Sequence, residues 1–238
     1  MSHISFFNGK FIPTNDVSLN LLDNFLTVVR GYQVFTFLKT TNQGQPIFLD
    51  YHIDRVFNNV DKMKMKTEES KESVRNLVFE TLSKNDCSSQ ECNIMITFLG
   101  GKTGDSSGLI AAGPSRLLIF ITPARKHPEE FYVNGISIGV IEHARSNADI
   151  KSPMTYGPAL LAQNTLAKDG AYNEILYTDQ NRVLEGTTFS FFIVKDDGVV
   201  VTSKADGSIL SSITRLALIG IFKDNQMSIE ERDLTLDE

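Results

Sequence analysis

The chain has 238 residues, 41% of them hydrophobic, and a formal net charge of -6. That length and apolar content suit one large or two modest packed domains. The acidic balance, without any basic tract, excludes an electrostatic nucleic-acid binder, which needs clustered Lys and Arg to neutralise phosphates. No apolar run approaches the roughly 20 residues of a membrane helix, and the opening MSHISFFNGK lacks the apolar core of a signal peptide. Neither nucleic acid nor a membrane is therefore an expected partner, and a cytoplasmic location is expected.

Residues 4–12 read as two short strands around Asn8-Gly9, a pair that accepts the positive φ angles of a tight hairpin. Residues 25–38, FLTVVRGYQVFTFL, are rich in β-branched and aromatic side chains and are expected to be strand, with at most a short turn at Gly31. A turn at 42–44 then leads to a further expected strand at 46–49. From 51 to 65 the residues Ile53, Val56, Phe57, Val60 and Met63 recur at three and four positions, which makes one helical face, with Asp50 as its expected cap. Residues 68–84 give a second amphipathic helix through Val74, Leu77, Val78 and Leu82.

Residues 93–99 and 116–122 read as buried strands joined by a Gly-rich loop. The loop holds Gly101-Lys102-Thr103, but a phosphate loop needs a glycine where Ile96 stands and a helix directly after Thr103, where Gly104 to Gly108 stand instead. Cys87 and Cys92 lie in a polar turn with no histidine nearby to complete a metal set, and read as incidental reduced thiols. The stretch PARKHP, 123–128, breaks the pattern and marks a linker, so the expected division is a small domain over 1–122, a linker over 123–130 and a larger domain over 131–238. His127 and His143 are isolated and read as structural or exposed.

Strand character resumes over 135–142. A helix is expected over 156–167 with Leu160, Leu161, Thr165 and Leu166 inward, ending near Gly170. Strands are expected at 174–178 and 188–194, a turn at Asp196-Asp197-Gly198 into 199–202, and a last helix over 213–223 capped by Ser211 or Ser212.

Within 148–223 four features stand in a set order. Ile150-Lys151 follows an apolar run, Tyr156 lies five residues on, Glu185-Gly186-Thr187-Thr188 closes another run, and Ile209-Leu210-Ser211-Ser212-Ile213-Thr214-Arg215 opens the last helix. In this order the stretch resembles the class IV, or fold type IV, pyridoxal-phosphate enzymes, which include branched-chain and D-amino-acid aminotransferases and aminodeoxychorismate lyases. The segment His52-Ile53-Asp54-Arg55-Val56 is similar to the family's "H..RL" helix segment.

The resemblance implies a two-domain α+β (α/β) fold with a smaller N-terminal α/β domain and a larger C-terminal, cofactor-binding domain built on a mixed, β-barrel-like sheet. It implies pyridoxal 5'-phosphate as cofactor, carried as a Schiff base on Lys151, because lysine alone supplies the required amine. Glu185 would hold the pyridine nitrogen and Tyr156 the phenolate oxygen. Arg55, Thr187, Thr188 and the backbone amides of Ile213 and Thr214 would complete the cofactor site, the amides by way of a helix start that favours an anion. A planar guanidinium at 55 suits phosphate better than a point charge.

The implied activity is amino transfer between an amino acid and a 2-oxo acid, by a homodimer. Two alternatives stay open: a lyase that eliminates pyruvate from aminodeoxychorismate with the same cofactor, and a non-catalytic relative that only binds pyridoxal phosphate. Three departures accompany the match. Segment 23–36 is one residue longer than the family's and ends on Thr36 instead of glutamate, 93–99 carries no arginine, and Ser190 replaces an asparagine. The final residues 231–238 are similar to the family's "ER.L...E", after which a further strand and a TGTA-like loop are expected.

Overall fold

The computed structural model describes residues 3–87, 90–124, 126–166 and 171–238. By its internal contacts the chain forms two units: Met1–Lys126 with Ile150–Met154, and His127–Asp149 with Thr155–Glu238.

In the first unit, Asn8 (φ 51°) and Gly9 (φ 73°) turn the chain between β1 (Ile4–Phe7) and β2 (Lys10–Pro13), the hairpin expected from that residue pair. These strands join β3 (Gln33–Lys39), β4 (Cys92–Leu99) and β5 (Arg116–Pro123) in an antiparallel sheet of order β2-β1-β5-β4-β3. Two helices, α2 (Leu49–Lys62) and α3 (Lys71–Ser83), pack on it, and Val34, Val56, Val74, Ile96 and Ile121 meet in the core between them. Ser70 and Ser73 close a reciprocal capping box at the start of α3.

Several segments of this unit depart from their local sequence signals. Residues Phe25–Arg30 form a helix, α1, despite their β-branched content. Leu26 and Thr27 are buried, Leu26 N donates to Gly101 O, and Gly31 takes the left-handed conformation that ends the helix, so packing and a glycine stop override local propensity. Residues 46–49 are not a strand: Pro46 makes only an isolated bridge to Thr40, and Leu49 already begins α2. Asp50 does not cap that helix. Phe48 is the N-cap, without a side-chain bond, and Asp50 pairs with Arg75 of α3. Cys87 and Cys92 are not reduced thiols but a disulfide, their Cα atoms 5.9 Å apart. Cys87, just after α3, thus lies beside Cys92 at the start of β4, a proximity that cysteine spacing does not encode.

The second unit contains α4 (Glu129–Asn134), β6 (Ile138–Glu142), α5 (Gly157–Thr165), β7 (Glu174–Asp179), β8 (Arg182–Gly186), β9 (Phe192–Val194), β10 (Val200–Ser203), α6 (Ile213–Asp224), β11 (Ile229–Arg232) and β12 (Leu234–Thr235). Among the described residues its strands make two mixed sheets, β12-β8-β7-β6 and β11-β10-β9, and do not close into the barrel-like sheet that the resemblance implies. The parallel pairs are β6 with β7 and β10 with β11.

The expected strand at 188–194 is reduced to β9, because the chain turns back at Gly186, whose N–H donates to Phe189 O at 2.8 Å. The Phe189 ring lies where a Cβ on residue 186 would stand, which is why glycine is required there. On α5 the inward residues are Ala159 and Ala162, whereas Leu160 and Leu161 are 62% and 67% exposed. Small side chains let the helix approach Ile175 and Tyr177 closely, and the leucines are turned outward. The expected end of that helix, at Ala167 and Gly170, lies outside the described residues. No helix among the described residues is long and apolar enough to cross a membrane.

Candidate active site

Of the residues singled out in the sequence, Arg55 and Lys151 belong to the first unit, and Tyr156, Glu185, Thr187, Thr188, Ile213 and Thr214 to the second.

β3 is an edge strand, and an edge leaves backbone donors that need acceptors. The segment around Lys151 supplies one. Phe35 N donates to Lys151 O at 3.0 Å, Ser152 Oγ donates to Gln33 O at 2.7 Å, and Ile150 is buried in the core. The backbone of Lys151 is thereby held along β3 while its amine is carried over the Phe35 ring, 4.9 Å from the centroid.

Arg55 and His52 are three residues apart on α2 and so share a face. Arg55 Nη2 donates to Thr36 Oγ1 at 2.7 Å, and Thr36 Oγ1 lies 2.7 Å from His52 Nδ1. His52 is buried, and its pKa is pushed down to about 3, first by burial and then by the charges of Arg55 and Lys151.

In the second unit Glu185, near the end of β8, is buried. Its Oε2 accepts from Leu210 N at 3.2 Å, which ties it to the chain entering α6. Its Oε1 lies 3.5 Å from Arg145 Nη1. Arg145 is a hub that sequence reasoning missed: it stands in the loop after β6, where no periodicity marks it. Its guanidinium lies 5.6 Å from the Tyr156 ring centroid and 5.0 Å from that of Tyr177, and it donates to Thr187 O and, at 3.4 Å, to Gly186 O. Burial raises the pKa of the Tyr177 phenol, a shift that Arg145 partly opposes.

Thr187 is buried, with Oγ1 3.4 Å from Glu174 Oε2. Thr188 is exposed and lines a cavity of about 390 Å3 with Phe131, Tyr132, Glu174 and Phe189. At the start of α6 the Ser212 hydroxyl accepts from Arg215 N at 3.3 Å. The earlier amides, of Ile213 and Thr214, have no acceptor within their own helix and point toward its N-terminal end. Arg215 is buried and anchors this turn, donating from Nη2 to Ser203 O at 2.7 Å and to Glu231 Oε2 at 3.0 Å.

The first unit thus presents an amine over an aromatic face and an oriented guanidinium. The second presents a buried carboxylate joined to a helix start that suits an anion. No group of three or more His, Cys, Asp or Glu among the described residues could hold a metal ion.

A family model described as amino-transferase class IV matches residues 33–238. A putative branched-chain-amino-acid aminotransferase of Methanocaldococcus jannaschii is 27% identical over 235 residues, covering 97% of this chain and 78% of that protein. A D-alanine aminotransferase of Listeria innocua is 28% identical over 236 residues, covering 96% and 78%. Among solved structures, the branched-chain amino acid aminotransferase of Escherichia coli matches with a TM-score of 0.89 at 21% identity, over 100% of this chain and 79% of that one. A branched-chain amino acid aminotransferase of T.th., complexed with N-(5'-phosphopyridoxyl)-L-glutamate, matches with a TM-score of 0.84 at 22% identity, over 100% and 78%. At these identities the structural matches speak to the fold.

Proposed function

The chain belongs to the class IV amino-transferase family, and from that premise we propose that it passes the amino group of an amino acid to a 2-oxo acid, with pyridoxal 5'-phosphate as cofactor. When bound, this cofactor supplies an aldehyde that takes up amines and a protonated ring that accepts electrons from the substrate α-carbon. The residues present fit such a group by their chemistry. An amine complements the aldehyde, a buried carboxylate the ring N–H, and a helix start with a guanidinium the phosphate dianion.

The Lys151 amine would hold the cofactor through its aldehyde and, when free, would accept a proton at Nζ from the substrate α-carbon. The Glu185 carboxylate accepts the ring N–H and keeps that nitrogen charged. The Tyr156 hydroxyl donates to the phenolate oxygen. Arg55, Thr187, Thr188 and the amides of Ile213 and Thr214 hold the phosphate end.

The observation that carries this reading is the bond from Leu210 N to Glu185 Oε2, 3.2 Å long. It couples a buried carboxylate to the segment that ends in an anion-ready helix start. The test is amino transfer by the purified, cofactor-loaded protein from a panel of L- and D-amino acids to 2-oxo acids. Ping-pong kinetics with at least one donor, lost in Lys151→Ala, are expected. No transfer from any donor, with equal cofactor retention in both proteins, overturns the proposal.

The family reading also carries a homodimer. The outward Leu160 and Leu161 of α5 support an assembled state, and light scattering of the full chain checks it.

A further inference from the structure

We propose that Thr36 is a positioning residue that aims the Arg55 guanidinium and holds His52 as the neutral tautomer protonated on Nε2, so that the three side chains act as one anion-holding group. This rests on the reading of Arg55 as a phosphate ligand.

The direction of each hydrogen bond follows from what the groups can do. A guanidinium only donates, so Thr36 Oγ1 accepts from Arg55 Nη2. The one proton of the hydroxyl is then available for His52 Nδ1, at 2.7 Å. Arg55 Nη2 also faces the same ring nitrogen, at 3.4 Å. Both groups have a proton to offer His52 Nδ1, and a proton already on that nitrogen would face the guanidinium, which cannot accept it. The lone pair therefore sits on Nδ1 and the proton on Nε2.

The geometry is rigid. Thr36 is fully buried on β3, between strand neighbours Val34 and Leu38 that point into the same core. Its β-branched side chain has few rotamers, so the hydroxyl is a fixed post. The five donors of arginine lie in one plane, and fixing Nη2 restricts the direction of the rest. A neutral imidazole also keeps a second positive charge from forming beside Arg55, in keeping with the low pKa of His52.

The test uses the full chain freed of cofactor. Thr36→Val keeps the shape and removes the hydroxyl, while Thr36→Ser keeps the hydroxyl. Affinities are measured by equilibrium dialysis for pyridoxal 5'-phosphate and for pyridoxal, which lacks the phosphate. Thr36→Val is expected to bind the phosphorylated form about tenfold more weakly and pyridoxal as the wild type does, with Thr36→Ser close to wild type for both. Nitrogen-15 NMR of the unaltered protein is expected to show the His52 proton on Nε2.

Unchanged affinity for pyridoxal 5'-phosphate in Thr36→Val, equal weakening for both ligands, or a proton on His52 Nδ1 overturns the proposal. If Thr36→Val does not fold, the NMR measurement on the wild type still decides the hydrogen-bond direction, and loss of phosphate affinity in Thr36→Ser overturns the positioning role. Equal affinity of the wild-type protein for the two ligands would instead remove the phosphate reading of Arg55, an outcome distinct from any result on Thr36.

Discussion

Arg145 Nη1 stands 3.5 Å from Glu185 Oε1, and both side chains are 7% exposed. The same guanidinium bonds the carbonyls of Gly186 and Thr187, so one cation fixes the end of β8 as well as the carboxylate it carries. A buried pair of this kind has little solvent to replace a lost partner.

Arg145→Met removes the charge while keeping much of the stem, and should lower stability by about 3–5 kcal/mol, because the Glu185 carboxylate stays buried without it. Urea unfolding measures the loss. Adding Glu185→Gln in the same background should recover part of it, since a neutral amide is less costly to bury. Strictly additive losses in the two variants would show that the pair is not coupled.

Glu185→Gln alone preserves shape and an oxygen able to accept from Leu210 N. It should lower stability, because the buried Arg145 charge loses its partner, while a protein that still folds and binds cofactor should show kcat lowered by about a hundredfold, as expected when a charge placed for the reacting state is removed. Steady-state kinetics at saturating cofactor check this, and a turnover near wild type would leave Glu185 without the assigned role.

Lys151→Ala should leave the first unit folded, because the contacts that hold this segment on β3 are the backbone carbonyl of Lys151 and the neighbouring Ser152 hydroxyl. It should abolish covalent capture of the cofactor. Borohydride treatment followed by intact-mass measurement is expected to add the cofactor mass to the wild type and not to the variant.

His52 gives a pH dependence of known sign. Its folded-state pKa is depressed from 6.5 to about 3, so the unfolded chain binds more protons between those values. Stability is unaffected by this group above pH 6.5 and falls as pH drops toward 3, with a slope of up to about 1.4 kcal/mol per pH unit. Burial and the positive charge of Arg145 depress His143 as well, in the same sense. Comparing urea midpoints of the wild type and His52→Gln at pH 7 and at about pH 4.5 isolates the first contribution, and the variant should lose about 2–3 kcal/mol less on acidification. Parallel losses would place the acid sensitivity elsewhere.

Much of the fold could be read from local pattern, because the physics there is local. Asn8-Gly9 permits two positive φ angles in succession, and the structure has the hairpin. Apolar residues every three or four positions gave both long helices of the first unit, and Ser212 caps α6 as its place before an apolar run suggests. Local pattern misleads where distant groups outweigh propensity. Phe25–Arg30 is helical because Gly101 and Gly31 complete its ends, and Leu160 and Leu161 face outward because two alanines make the closer contact.

The order of residue types along the chain is enough to point to a lysine, a glutamate and a helix start, since each can be named from its neighbours in the chain. What surrounds them follows from the three-dimensional packing alone. Arg145 reaches Glu185 across 40 residues of chain, Thr36 meets His52 and Arg55 through the packing of α2 on β3, and the Cys87 sulfur meets that of Cys92 at the start of β4. Such contacts depend on how strands and helices pair in space, and no periodicity along the chain records them.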